Sequence, residues 1–485
     1  MESLFLQSQQ IPAGSGFALL LPDGMKPSTS LLKRSEKQYL EDFRTHYPER
    51  RVIILETPDR MVVALLLKQE ENFSETLESC RRLGSDLADI IDTRRIATFS
   101  VTALLSDFRC LAALAEGVML AGYRYLNWFS VEKRKEKQFP LRQLILVHKK
   151  YDKELMQHTE VAIRSIFLVR DLVNEPPANK SAEVLAQRLA EMATPSGILC
   201  DVMHRKHIEA LKMGGLLAVN RGSIDHPAFA VMEWKPADAV NTKPIVLVGK
   251  GVTFDTGGMN LKTGTFMDGM KSDMAGAATM AAVLMATATL KLPLYIIALM
   301  PFTDNRVDGN AFLPGDVITM HDGTTVEIKN TDAEGRLILA DALSYARRFD
   351  PMLLITAATL TGSAMRAIGA HGTVAMHHQA ARQMELLKKT GEDLYERIVE
   401  FPMWKEYADE LRSDIADLAN LGGPNGGAII AGKFLQHFVQ YPFIHLDIAG
   451  TAFLEKRAHY IPAGGTGTGV RLLLHFLLNF RKTLT

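Results

Sequence analysis

The run Pro244-Ile-Val-Leu-Val248 carries no polar side chain, and runs of the same kind recur at Leu294–Pro301, Met352–Ala358 and Phe443–Ile448, the last broken by His445 and Asp447. Near-continuous apolar runs are the pattern of strands buried on both faces, which is the situation in parallel sheets covered by helices. Helix-length segments lie between them, at about 272–290 and 335–348. In the second, Leu339, Leu343 and Ala346 recur at i, i+4 and i+7 and give one apolar face. Alternating strands and helices predict an α/β architecture: a central, mostly parallel mixed sheet flanked by helices.

The first 150 residues read as a smaller α/β unit. Val52–Leu55 and Met61–Leu67 have strand character and are separated by a Pro-Asp turn. Ser74–Ile91 and a stretch around Ala112–Phe129 show helical spacing. Arg134–Gln138 reads as a charged connector, Leu144–Val147 as a strand, and Asp152–Val173 as a helix stopped by Asn174-Glu-Pro-Pro177. The boundary is expected near 150–165. This gives a small N-terminal α/β domain over 1–155, with an assembly or regulatory role, and a larger catalytic domain over 156–485. Leu421–Gly427 is Gly-rich and reads as a surface loop. The sequence shows no internal repeat.

Charge and cysteine content exclude several classes. Lys plus Arg and Asp plus Glu each number 55, so no net field recruits nucleic acid or an anionic membrane. Three scattered cysteines, Cys80, Cys110 and Cys200, make neither a disulfide framework nor a Cys-type zinc site and suit a reducing compartment. The start of the chain lacks the basic region of a secretory or transit signal, and its end matches no retention or peroxisomal signal. The longest uncharged run, about Met274 to Leu290, is rich in Ala, Thr and Gly and reads as a buried helix rather than a membrane span. A cytoplasmic protein with no membrane partner is the expectation.

Two segments carry charged chemistry beside glycines. Val248-Gly-Lys-Gly-Val-Thr-Phe-Asp-Thr-Gly-Gly258 follows the first apolar run, and Asn330-Thr-Asp-Ala-Glu-Gly-Arg-Leu337 precedes a helix. In open α/β sheets the carboxyl ends of strands are where ligands bind. The first segment is not a phosphate loop, because Lys250 precedes most of the glycines and Asp255 would face any phosphate. In the second, Asp332 and Glu334 are two apart and in extended backbone would share one side. Paired carboxylates need a proton or a cation between them. The competing reading has Asp332 capping the following helix, although a pure cap does not explain Gly335. No His-Glu-x-x-His occurs, which excludes a single-zinc protease of that type. His445 reads as a core residue, and His377 and His378 as solvated loop residues.

Together with Lys262, Asp273, Asp171-Leu-Val-Asn-Glu-Pro-Pro, Met213-Gly-Gly, Thr359-Leu-Thr-Gly362 and Leu446-Asp-Ile-Ala-Gly450, these segments resemble the leucyl (cytosol) aminopeptidase family over roughly residues 165–475. The resemblance implies a metal-dependent aminopeptidase that removes leucine or another apolar residue from peptides with a free N-terminus. It implies two divalent ions per subunit (zinc or manganese, with magnesium or cobalt as alternatives), bound by Lys250, Asp255, Asp273, Asp332 and Glu334. It further implies Lys262 as donor to the developing oxyanion and Arg336, with Leu360, as the holder of a bicarbonate general base. Met270, Thr359 and Gly362 would contact substrate, and the assembly would be a homohexamer. A lysine ligand must be neutral, which adjacent dications promote. The alternative is a binding or scaffold protein, possibly DNA-binding, on the same fold; the neutral composition gives nucleic acid no support.

Overall fold

The computed structural model describes residues 3–12, 15–27, 29–68 and 70–484, so Met1, Glu2 and Thr485, on which the readings of the chain ends partly rest, lie outside the described residues. Two compact units emerge. One comprises the residues up to Arg164 with Asp393–Tyr395 and Lys456–Pro462; the other comprises Ser165–Glu392, Glu396–Glu455 and Ala463–Thr485.

The first unit is built on a six-stranded sheet in the order Phe5–Ser8, Gln143–Val147, Thr98–Ala103, Phe17–Pro22, Met61–Leu67, Val52–Glu56. All neighbours are parallel except the last pair, whose antiparallel hairpin turns at the Pro-Asp expected from sequence. The helices Phe73–Thr93 and Phe108–Ala121 cross at Gly84 and Gly117, where an added Cβ would stand 2.2 Å from the Leu114 carbonyl and 2.1 Å from that of Arg81. Only glycine permits backbones so close. The second of these helices ends at Gly122 rather than at 129. The charged connector is instead a short helix, Val131–Lys137, capped by the Ser130 hydroxyl; its exposed charges hid its helical propensity from an apolar-periodicity reading.

The second unit holds a nine-stranded mixed sheet. Its centre is four parallel strands, in spatial order Phe443–Asp447, Leu353–Ala358, Ile245–Gly249 and Ile296–Asn305. These are the four apolar runs, and their interior positions are buried as that pattern required. Antiparallel strands flank this core on either side: Thr373–His378 beyond Phe443–Asp447, and Ala228–Trp234 beyond Ile296–Asn305. His377 and His378 therefore lie in a strand and not in a solvated loop. His377 stands 3.2 Å from Glu400, and His378 is hydrogen-bonded to Gln436 at 2.8 Å.

Two helices pack against the central strands. Ala275–Thr289 is buried from Ala275 to Ala288, which is why its sequence is small and uncharged. Glu334–Tyr345 is likewise buried on every side, so its one-faced apolar stripe understated its burial. No helix among the described residues is long and apolar enough to cross a membrane.

A candidate metal centre at the strand ends

Lys250 sits at an interruption in the sheet. Ile245–Gly249 pairs with the first half of Ile296–Asn305, and Gly251–Asp255 pairs with its second half. The segment that follows the first apolar run is thus mostly a continuing strand, and Asp255 is its last residue. Gly251 must lack a Cβ because one would fall 2.5 Å from the Pro301 carbonyl. Beyond Asp255 the chain turns sharply through Gly257 at φ 88°, a conformation open to glycine.

The second segment approaches the first through neutral side chains. Asn305 donates to Asp255 Oδ1 at 2.9 Å and to the Thr331 carbonyl at 3.1 Å, while the Thr331 hydroxyl donates to the Gly257 carbonyl at 2.7 Å. Asn420 accepts from the Lys329 amide at 2.8 Å and donates to the Asn330 carbonyl at 2.7 Å. Neither asparagine was singled out from sequence. Asn305 closes the strand Ile296–Asn305 and lies fully buried there, and a buried amide at a strand end is the signal that could have found it.

Asp332 does not cap the following helix: the N-cap position is Ala333, with no side-chain cap bond. Nor is the stretch extended, since Glu334 opens the helix while Asp332 lies in the preceding turn. Both carboxylates nevertheless reach one cluster. Oxygens of Asp255, Asp273 and Glu334 lie within 4.8 Å of one another, all three residues buried. Lys250 Nζ stands 2.9 Å from Asp273 and 2.8 Å from Glu334, and donates to the Thr359 carbonyl at 3.0 Å. Lys262 Nζ stands 2.8 Å from Asp255 and 2.5 Å from Asp332.

Burial works against charge on both lysines, yet the surrounding carboxylates outweigh it and hold both ammonium groups above the ordinary lysine range. Burial and neighbouring carboxylates push Asp273 up to about 7 and Glu334 up to about 8, with Lys250 opposing. The two ammonium groups occupy the gaps between acids that would otherwise repel.

Gly335 explains itself here. A Cβ on it would stand 2.6 Å from Lys250 Nζ, so glycine leaves the room in which that amine sits. Arg336, one residue on, is buried; its Nη1 donates to the Asn420 carbonyl at 2.8 Å, and its Nε has no partner among the described residues. Burial lowers its pKa to about 10, against the pull of Glu334 and Asp447. His445 is fully buried, paired with Thr356 at 2.7 Å, and pushed by burial down to about 3. It belongs to the core as a neutral ring.

These groups line a cavity of about 790 Å³, within the usual range for a small-ligand site. Every residue singled out from the sequence lines it: the five candidate ligands, Lys262, Arg336, Met270, Thr359, Leu360 and Gly362. The Gly-rich loop around 421–427 forms part of its wall. Thr359 also donates to Asp273 Oδ1 at 2.6 Å, and the Leu360 amide donates to Asp447 at 3.2 Å.

A cation centre suits this set. Asp273 Oδ2 and Glu334 Oε2 are buried without a hydrogen-bond partner, Asp273 Oδ2 facing Lys250 at close range but out of hydrogen-bonding alignment. Buried acceptors of this kind are costly unless a ligand satisfies them. Four carboxylates balance the charge of two divalent ions, and carboxylate oxygens suit hard or borderline cations.

Comparison with known proteins places the chain among peptidases. A model of the catalytic domain of the cytosol aminopeptidase family matches residues 167–474. A probable cytosol aminopeptidase of Geobacter sp. (strain M21) is 40% identical over 409 residues, covering 83% of this chain and 82% of that one. One of Geobacter sulfurreducens is 46% identical over 314 residues, or 64% of this chain and 63% of that one. Among solved structures, the bottromycin maturation enzyme BotP in complex with Mn superposes with TM-score 0.84 at 30% identity, covering 96% of this chain and 99% of that one. A mutant of tomato leucine aminopeptidase superposes with TM-score 0.87 at 25% identity, covering 99% and 97%.

Proposed function

The chain belongs to the cytosol aminopeptidase family and is a metal-dependent aminopeptidase, and from that premise we propose how its own residues perform the reaction. The observation that carries the proposal is the cluster of Asp255, Asp273 and Glu334 with its orphaned oxygens. Lys250, Asp255, Asp273, Asp332 and Glu334 would hold two divalent ions, zinc or manganese, with magnesium or cobalt as alternatives; the Mn complex of BotP supports manganese. Bound there, the ions supply an activated water and a charge clamp for the scissile carbonyl and the free amine.

The lysines change partners on loading. Lys250 would serve as a ligand through the lone pair of its neutral amine, its proton passing to solvent, and the room beside Gly335 accommodates that amine. Lys262, released from Asp255 and Asp332, turns its ammonium toward the oxyanion that develops on the scissile carbonyl. Arg336 has an unused Nε in the cavity wall and a planar fork suited to a planar oxyanion. With the neighbouring Leu360 it would hold a bicarbonate, which would supply a general base. Met270, Thr359 and Gly362 border the first side chain of the substrate, and Met270 favours an apolar one.

Residues 156–485 form the catalytic domain in this reading, and 1–155 serve assembly into a homohexamer or regulation, in the cytoplasm. The experiment is hydrolysis of leucyl aminomethylcoumarin by the metal-loaded protein, beside the N-acetylated substrate. Cleavage of the free amine alone, abolished by a chelator and restored by manganese or zinc, is the expected result. Cleavage of neither, with two ions verified per chain, refutes the assignment.

A further inference from the structure

The cavity has one charged side chain that the reaction does not employ. Arg366, on the helix Gly362–Ile368, lines it and is exposed. Among the described residues Arg366 makes no hydrogen bond or ion pair, whereas the other charged groups of the cavity are all partnered. An unpaired guanidinium in a cavity also lined by Met365, Phe266 and Phe453 suits a carboxylate, since its fork matches that group.

Its position is defined. The side chain runs back along its helix, as helical side chains do, and Nη1 stands 3.1 Å from where a Cβ on Gly362 would be. Gly362 is three residues from Thr359, which is bonded through its carbonyl to Lys250 and through its hydroxyl to Asp273. Three residues span at most about 11 Å. A bound peptide advances about 3.4 Å per residue, so Gly362 is within about three residues' reach of Thr359, and the guanidinium beside it within about four. The helix is also held firmly. Gly450 packs on it so tightly that a Cβ there would fall 2.3 Å from the Gly369 carbonyl.

We propose that Arg366 is a specificity residue that reads a carboxylate on the peptide, so that the enzyme selects substrates with negative charge close to their free amine. This rests on the aminopeptidase reading above. The acid-rich end of the cavity receives the amine, and Arg366 receives the carboxylate. That carboxylate comes from an acidic side chain or from the C-terminus of a very short peptide.

Three matched pairs distinguish these sources: Leu-Ala against Leu-Ala amide, Leu-Glu-Ala amide against Leu-Gln-Ala amide, and Glu-Ala amide against Gln-Ala amide. The measurement is the ratio of kcat/KM within each pair for the wild type, Arg366→Gln and Arg366→Lys. The wild type favours the charged member of at least one pair, and Arg366→Gln lowers that ratio about fivefold, the ordinary scale of an exposed ion pair. Arg366→Lys retains part of it, and raising the ionic strength erodes it in the wild type. Ratios that are the same in wild type and Arg366→Gln for all three pairs overturn the role of Arg366, while hydrolysis of the neutral members leaves the aminopeptidase reading intact.

Discussion

Gly335→Ala isolates the space that the metal centre requires. In an ordinary helix this substitution stabilises by about 1 kcal/mol, and Gly335 is the second residue of the helix Glu334–Tyr345. Here the new Cβ would stand 2.6 Å from both Nζ and Cε of Lys250, whereas ordinary contacts begin at 3.4 Å. The amine must move by about 0.8 Å, although Lys250 is only 3% exposed and is held by Asp273, Glu334 and the Thr359 carbonyl. At least one of those bonds breaks, at about 1.5–3 kcal/mol for a bond to a charged group. The helical gain offsets part of that loss, leaving a net destabilisation of about 0.5–2 kcal/mol. The effect on chemistry is larger, because ligand distances tolerate only about ±0.2 Å and a 1 Å misplacement costs roughly 100-fold in rate. The assay is kcat/KM on leucyl aminomethylcoumarin at saturating manganese, with metal content by elemental analysis and a melting curve. Activity down about 100-fold, with less than two ions per chain and a melting temperature lowered by only a few degrees, is expected. Wild-type turnover and metal content would show that Lys250 is not a ligand in this place.

Lys262→Ala lowers turnover by about 100- to 1000-fold while leaving metal content close to that of the wild type; loss of an ion in elemental analysis would instead make Lys262 a structural counter-ion. Lys180→Met tests a buried anchor, because Lys180 Nζ donates to the carbonyls of Leu172, Val173 and Lys271 at 2.9, 3.0 and 2.7 Å. Orphaned carbonyls cost about 1–3 kcal/mol each, so urea unfolding should show about 3 kcal/mol lost together with weaker metal binding at the nearby Asp273; a loss under about 1 kcal/mol argues against it. Metal affinity should fall as pH drops from about 8 through 7, since Glu334 and Asp273 are raised to about those values without metal. Below them protons compete for the same oxygens, so binding releases protons, and calorimetry in buffers of different ionisation enthalpy measures the release. Affinity that is flat across that range would contradict it.

The strand cores and the chemistry were legible in the chain because each is written locally. Four largely apolar runs announce doubly covered strands, and two short segments hold Lys250 and Asp255 after one such strand and Asp332, Glu334 and Arg336 at the start of a helix. The Gly-rich run around 251–258 was ambiguous for a local reason too. Glycine there signals close backbone approach to Pro301 as much as a loop, and only the pairing with Phe302–Asn305 distinguishes the two.

What the sequence by itself determined is which residue types stand at which strand end. The tertiary structure decided how far apart they are. Asp273 joins Lys250 because it stands just before the helix Ala275–Thr289, whose Ala277 amide donates to the Lys250 carbonyl at 2.9 Å, while Asn305 and Thr331 join the two charged segments and Asn420 anchors the second, through bonds no periodicity encodes. The same holds for Gly335, whose missing side chain has meaning only beside Lys250, and for Arg366, whose lack of a partner is a property of the whole cavity. Spacing along a chain constrains neighbours within a few residues, whereas a polar cluster assembled from distant segments exists only once packing has brought them together and removed water.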